Sequence, residues 1–316
     1  MATHIVTGVA GFIGSHLAET LLQQGEKIIG VDQFNDYYDS NLKRKNVTSL
    51  QQYKDFELIE ADIQQLDWLT LLKDTETIYH QAAQAGVRAS WGIGFRHYTE
   101  RNINATQIIL EAAKETKTLK RLVFASTSSV YGNAETLPTP ETICPQPVSP
   151  YGITKLAAER LCWLYHHNFG VPVTALRYFT VYGPRQRPDM AFHKFFKAAI
   201  LKDSIPIYGD GKQTRDFTFV SDAVAANLAA ATCKEAIGEV FNIGGGSRVF
   251  LCDVLDKIDE IVGYPITRDH QEQAMGDARH TGADTTKAKQ LIGFNPQVSL
   301  EEGLTKEWEW IQGLYR

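Results

Sequence analysis

Ile5-Val-Thr-Gly8-Val-Ala-Gly11-Phe-Ile-Gly14-Ser-His-Leu-Ala-Glu-Thr-Leu-Leu22 decides the fold. A short apolar run breaks into glycines spaced G-x-x-G-x-x-G, and apolar residues then recur at helical spacing. Strand, glycine turn and helix in that order make a phosphate-binding unit. Glycines let the main chain approach a pyrophosphate, and the free amides of the helix start point at it. The spacing is not the commoner G-x-G-x-x-G, so the reading needs support from the neighbouring sequence. Lys27-Ile-Ile-Gly-Val31 gives it, a second apolar run that ends on Asp32. A carboxylate there accepts hydrogen bonds from adenosine ribose hydroxyls and repels a 2′-phosphate, which predicts NAD rather than NADP.

The alternation continues outward. Phe56-Glu-Leu-Ile59 leads to Asp62-Ile63, and Thr77-Ile-Tyr-His80 leads to Gln81-Ala-Ala83. A helical pattern over residues 98–117 precedes Arg121-Leu-Val-Phe-Ala125, and Val173-Thr-Ala-Leu-Arg177 reads as a sixth strand. Strands alternating with helices predict an α/β fold with a doubly wound parallel sheet, its ligands gathered beyond the strands' carboxyl ends. At those ends Asp62 either touches adenine or caps a helix. Ala82 and Ala83 either leave room for a cofactor or simply pack closely. Asn102, inside the long helical pattern, either ties main chain or water near the site or is an exposed polar residue.

Ser126-Thr-Ser-Ser129 continues from the fifth strand, and a proline-dense excursion returns the chain to Tyr151-Gly-Ile-Thr-Lys155. Tyrosine and lysine four apart share a helix face, and an ammonium beside a phenol favours the phenolate. Such a tyrosine can take and return protons near neutral pH, with the Thr127 hydroxyl on the same substrate oxygen. Beyond residue 177 the texture turns aromatic and basic. Arg185, Arg187 and Arg215 suit an anionic diphosphate, and Tyr208 can stack on a base. From about residue 251 the pattern is mainly helical, with a polar loop at Gly276-Asp277-Ala-Arg279-His-Thr281.

Composition narrows the partners. The chain has 316 residues, 43% hydrophobic and 22% charged, with a formal net charge of -5 and no basic block, which argues against nucleic acid. No apolar stretch is long enough to span a bilayer or to serve as a signal peptide. The 4 cysteines form no C-x-x-C and no pattern with histidine, so idle thiols in a reducing cytoplasm are expected, with no metal and no disulfide.

Taken in order, these motifs resemble an extended short-chain dehydrogenase/reductase of the nucleotide-sugar epimerase group, over nearly the whole chain. The resemblance implies a Rossmann NAD-binding domain over residues 1–178. A smaller C-terminal α/β domain, mainly binding nucleotide sugar, would span residues 179–316, with some segments returning to the sheet. It implies cofactor contacts at Gly8, Gly11, Phe12, Ile13, Gly14, Asp32, Lys43, Asp62, Ile63, Gln81, Ala82, Ala83, Asn102 and Tyr178, besides Tyr151 and Lys155. Tyr151 would be the acid/base, Lys155 would hold the nicotinamide ribose and lower the tyrosine pKa, and Thr127 would bind the sugar O4. Arg215 would meet the UDP diphosphate and Asp277 the uridine ribose.

Within the group, Asp32-Gln-Phe-Asn-Asp-Tyr-Tyr-Asp39 and His80-Gln-Ala-Ala-Gln-Ala-Gly-Val-Arg88 look most like UDP-glucuronate 4-epimerases. So does Thr180, where epimerases of neutral sugars usually carry asparagine. Sugar 4,6-dehydratases resemble the chain less, because they place an acid where Ser128 stands, and UDP-glucuronate decarboxylases differ around Thr180. A UDP-glucose/UDP-galactose 4-epimerase and a non-catalytic NAD-binding protein are the other readings. A 4-keto uronate is a β-keto acid that loses carbon dioxide readily. Thr127, Ser128, Ser129 and Thr180 are therefore expected on the carboxylate, with Arg88 on either that group or a cofactor phosphate. A homodimer through the helices near residues 98–117 and 151–167 would suit the family.

Overall fold

The computed structural model describes residues 2–272 and 275–315. Its main sheet contains β1 (Thr3–Thr7), β2 (Lys27–Asp32), β3 (Phe56–Glu60), β4 (Thr77–His80), β5 (Arg121–Thr127), β6 (Val173–Tyr178) and β7 (Val240–Ile243). They lie in the order β7-β6-β5-β4-β1-β2-β3, every pair parallel. This is the doubly wound Rossmann arrangement that the sequence predicts. Strand order reverses between β1 and β4, so their carboxyl ends border the crevice where such sheets take ligands.

The sheet is covered on both faces. Val6, Val123 and Leu176 belong to one core, while their neighbours Ile5, Leu122 and Ala175 belong to the other. Alternate side chains of a strand must point to opposite faces, and here both faces meet helices, so β4, β5 and β6 are buried throughout. Each large aliphatic side chain sealed in this way contributes about 1.5–3 kcal/mol.

Helix α1 (Phe12–Gln23) starts at Gly11 with no side-chain cap and no acid in its first turn, leaving its leading amides free for an anion. The helical pattern over residues 98–117 is in fact a short turn at Phe95–Tyr98, a π-helical segment at Thr99–Asn104 and helix α2 (Ala105–Glu115). The π segment brings Asn102 inside, only 1% exposed. Helix α3 (Pro150–Phe169) is strongly punctuated. Ser149 caps its first turn by accepting from Gly152 N, Pro150 opens it, and Gly170 ends it in the left-handed region.

Three two-stranded sheets stand beside the main one: Val181–Tyr182 with Thr218–Phe219, Thr214–Asp216 with Arg248–Phe250, and Ile205–Tyr208 with Arg268–Gln271. The last strand departs from the helical pattern of the tail. It is polar and mostly exposed, so main-chain pairing rather than apolar alternation holds it. Helix α4 (Val220–Thr232) packs on α1, and helix α5 (Leu300–Tyr315) reaches back to the turn after Tyr182, where Glu307 accepts from Gly183 N at 2.8 Å. Among the described residues, no helix is long and apolar enough to cross a membrane.

Candidate active site

The glycine turn is shaped by close approach. Gly8 has φ +68°, and a side chain there would come within 2.8 Å of Ala82 N. A Cβ on Gly14 would collide with the carbonyl oxygen of Gly8 and lie 2.9 Å from its carbonyl carbon. The turn is therefore a cradle that only glycine keeps open, with Gly11, Phe12 and Ile13 lining the same cavity. Asp32 stands at its edge, accepting from Ala10 N (3.2 Å) and Phe34 N (2.9 Å). Burial pushes its carboxyl up, against the pull of those amides and of Lys43. Lys43 Nζ is fixed by Asn35 Oδ1 at 2.7 Å. Asp62 both lines the cavity and caps the next turn through Gln64 N, so its two readings coincide, with Ile63 beside it. Replacing Asp32 with Ser is expected to weaken NAD binding and to cut the preference over NADP by about tenfold or more. Titrating both dinucleotides checks this, and an unchanged ratio would count against Asp32 as the selector.

Behind the cradle lies a hydrogen-bonded chain whose proton directions can be assigned. Thr106 Oγ1 donates to Asn102 O, so it accepts from His80 Nε2–H. His80 Nδ1 then accepts from Thr7 Oγ1, which in turn accepts from Ala82 N. His80 is fully enclosed, and desolvation pulls it down to about 3, so it remains neutral with its proton on Nε2. The Asn102 side chain clamps both Gln84 N and Gln84 O and donates to Thr154, next to Lys155. Asn102 is thus a buried tie between the loop after β4 and α3, outside the cavity lining. Gln81 is held in a triangle with Asn227 and Tyr178, and all of Gln81, Ala82, Ala83 and Tyr178 line the cavity.

Tyr151 and Lys155 line the far end of the same cavity. The Tyr151 ring stands edge-on to Tyr98 at 6.2 Å, and Thr127 hydrogen-bonds its hydroxyl. Burial pushes the phenol up, while Arg187 and the Thr127 bond pull it back. The cation acting on Tyr151 in this structure is thus Arg187, whereas Lys155 Nζ lies 4.3 Å from the Phe124 ring centroid. Desolvation pulls Lys155 down to about 8, opposed by the Glu159 carboxylate one turn along its own helix. Arg187 is gripped by Asp189 at 2.9 and 3.0 Å, and Tyr37 donates to that carboxylate at 3.2 Å. The sequence marks Arg187 only as one of three candidates for a diphosphate, and nothing in it marks Arg101 or Gln84, which also line the cavity.

Residues expected on the substrate form a second group beyond this cavity. The Arg88 guanidinium lies 3.8 Å from the Tyr208 ring centroid and 2.9 Å from Asp277, and Arg215 feels both charges. The 276–281 loop reaches them because Gly276, at φ +85°, packs between Val87, Trp91 and Ser149. Ser128 and Ser129 are half-buried in the turn after Thr127, where Ser129 N donates to Thr127 Oγ1, and half-buried Thr180 follows β6, its carbonyl accepting from Thr218 N. Arg185, expected on the substrate diphosphate, adopts φ +66° and pairs with Glu19 of α1 at 2.7 Å.

A family model, the NAD dependent epimerase/dehydratase family, matches residues 4–244. The chain belongs to this family. Its cofactor is accordingly NAD, which the glycine cradle and Asp32 fit. Within the NAD dependent epimerase/dehydratase family, it is 44% identical over 313 residues to the uncharacterized UDP-glucose epimerase YtcB of Bacillus subtilis, covering 99% of this chain and 98% of that one. It is 37% identical to the UDP-glucuronate 4-epimerase of Thermodesulfobacterium geofontis, covering 98% and 96%. It also resembles the crystal structure of UDP-glucuronic acid 4-epimerase from Bacillus cereus in complex with UDP-glucuronic acid and NAD. There the TM-score is 0.96 and the identity 44%, over 99% of this chain and 100% of that one.

Proposed function

We propose that the chain is an NAD-dependent UDP-glucuronate 4-epimerase that forms UDP-galacturonate through a 4-keto intermediate. The observation that carries this reading is the company of Tyr151: Thr127 on its hydroxyl, Lys155 on its helix and the Arg187 charge beside it. A cation at the catalytic tyrosine suits a sugar bearing a carboxylate next to C4, and the likeness to the Bacillus cereus epimerase supports it. The name of the Bacillus subtilis relative favours a second reading, a UDP-glucose 4-epimerase. Incubating the enzyme separately with UDP-glucuronate and UDP-glucose, without added NAD, and identifying the products separates the two. Turnover of UDP-glucose alone would overturn the uronate reading.

Bound NAD supplies a reversible hydride acceptor for C4 of the sugar. Tyr151 removes the O4 proton as phenolate, a form that burial disfavours and that the Arg187 charge and the Thr127 bond favour, while Thr127 holds O4, and the same phenol returns the proton after the sugar has turned over. Lys155 would hold the nicotinamide ribose with its ammonium. Arg215 and Asp277 would anchor the diphosphate and uridine ribose, with Tyr208 stacked on the base, so that the sugar alone is free to rotate. The proton Tyr151 takes is the proton it gives back, so the chain needs no second acid or base. The cleft has only to exclude water and keep one base in reach of both faces.

The 4-keto uronate must keep its carboxylate. Decarboxylation is fastest when the C5–carboxylate bond stands perpendicular to the carbonyl plane, and the hydroxyls of Thr127, Ser128, Ser129 and Thr180 would hold it away from that orientation. Thr180→Ala is expected to raise the fraction of UDP-pentose and carbon dioxide several-fold, an effect on the order of 1 kcal/mol for one lost hydrogen bond. An unchanged product ratio would remove Thr180 from this role.

Residues 1–178 would carry the dinucleotide, and residues 179–316 the nucleotide sugar, with β7 the segment that rejoins the main sheet. Exposed Ile153, Trp163, Leu164 and Phe169 on α3 support a homodimer through the α2–α3 face. Four free cysteines suit a reducing cytoplasm.

A further inference from the structure

We propose that Glu159 is a positioning residue for this reaction, locking the carboxyl end of β5 to the Lys155 turn of α3 and giving the buried Lys155 ammonium a carboxylate neighbour. The inference rests on the epimerase reading and adds to it a residue that touches neither substrate nor cofactor.

Glu159 lies four residues after Lys155, on the same helix face, and is 2% exposed. Its Oε2 accepts from Ser126 Oγ at 2.6 Å and from Arg177 Nε at 3.0 Å, and its Oε1 accepts from Arg177 Nη2 at 2.6 Å. Ser126 lines the cofactor cavity between Ala125 and the catalytic Thr127. Arg177 then donates to Tyr131 OH, which donates to Asn242 Oδ1, and the Asn242 amide donates to Thr139 O and Asp284 O. Every direction in this chain is fixed. The Ser126 proton is committed to Glu159, so Ser126 offers the cavity only lone pairs.

A buried ion pair gives little net stability compared with an apolar replacement, because desolvating two charges offsets their attraction. What this pair does provide is geometry, since it joins the carboxyl ends of β5, β6 and β7 to α3 at one carboxylate. It also sets a charge balance. Lys155 is faced by Glu159 and Cys162 of its own helix, by neutral His80 of β4 and by the Phe124 ring of β5. Burial keeps the Cys162 thiol protonated, and Arg177 of β6 stands behind Glu159. With Glu159 neutral, the buried Lys155 ammonium would lose the carboxylate charge one turn along its helix. Lys155 would then release its proton at lower pH, losing the donor intended for the nicotinamide ribose.

The test tracks two readouts against pH on the full-length holoenzyme, NAD retention after gel filtration and kcat with UDP-glucuronate. In Glu159→Gln, the alkaline midpoint of both is expected to fall by about one pH unit. Should the lone Arg177 cation hinder folding, Glu159→Gln combined with Arg177→Met removes it and is expected to keep the lowered midpoint. Ser126→Ala, which leaves every charge in place, is expected to lower kcat by about tenfold with KM and midpoint unchanged. A folded Glu159 variant with the wild-type midpoint, or Ser126→Ala with wild-type kcat, would overturn the proposal. If the wild-type enzyme failed to convert UDP-glucuronate, the functional reading would fall, while the NAD-retention arm would still decide the role of Glu159.

Discussion

Tyr151→Phe is expected to abolish epimerisation, with kcat falling about 10³–10⁴-fold while UDP-glucuronate still binds. The substitution removes one oxygen and nothing else. The ring can keep its edge-on contact with Tyr98, and the α3 turn that carries it is capped independently by Ser149. What disappears is the group that Thr127 hydrogen-bonds and that Arg187 influences, and with it the path for the O4 proton. Circular dichroism and bound NAD should match the wild type, and substrate affinity should change little. Turnover within tenfold of wild type would mean that another group moves the proton, and the mechanism would have to be rebuilt around it.

Gly14→Ala is expected to cost about 3 kcal/mol of stability and to reduce NAD binding by more than about a hundredfold. The new methyl meets the carbonyl group of Gly8, which is backbone on a tight turn rather than a flexible side chain, so relief requires the loop itself to move. Moving that loop also shifts the amides at the start of α1 away from the pyrophosphate they would hold. Two controls bound the effect. In Gly11→Ala the methyl stands 3.0 Å from the Gly8 oxygen, so a smaller loss is expected. In Gly313→Ala on α5 nothing lies within 4 Å, and stability should rise by about 0.5–1 kcal/mol through helix propensity. Thermal melts with and without NAD read all three. Equal melting temperatures for Gly14→Ala and wild type would refute the close-packing account.

The features legible in the sequence are those that depend on local pattern. The glycine turn, the strands as far as β6 and the Tyr151–Lys155 face all arise from spacing, because strand and helix periodicities are properties of neighbouring residues. Side-chain direction in loops is different in kind. Arg185 and Arg187 stand two apart in one basic stretch, yet Glu19 on α1 draws the first away and Asp189 turns the second into the cleft. Glu19, 166 positions away, cannot be chosen from the stretch itself. Arg88 meets Asp277 across 189 positions of chain, and no periodicity announces that pairing. Asn102 reads as an ordinary helical position because a π turn leaves almost no trace in residue type. The strand at Arg268–Gln271 is hidden for the opposite reason, since its polar residues carry no β alternation and its edge pairing is made by main chain alone.

β7 has a consequence for how the polypeptide emerges during synthesis. The last strand of the main sheet and the helix that anchors the turn after Tyr182 both come from the final third of the chain. A nascent fragment that already holds the glycine loop, the tyrosine and the lysine therefore still has an open sheet edge beside β6 and an unpaired Gly183 amide. Such fragments should be held by chaperones or degraded rather than accumulate as free dinucleotide traps, and truncation before residue 240 should yield protein that sticks to itself.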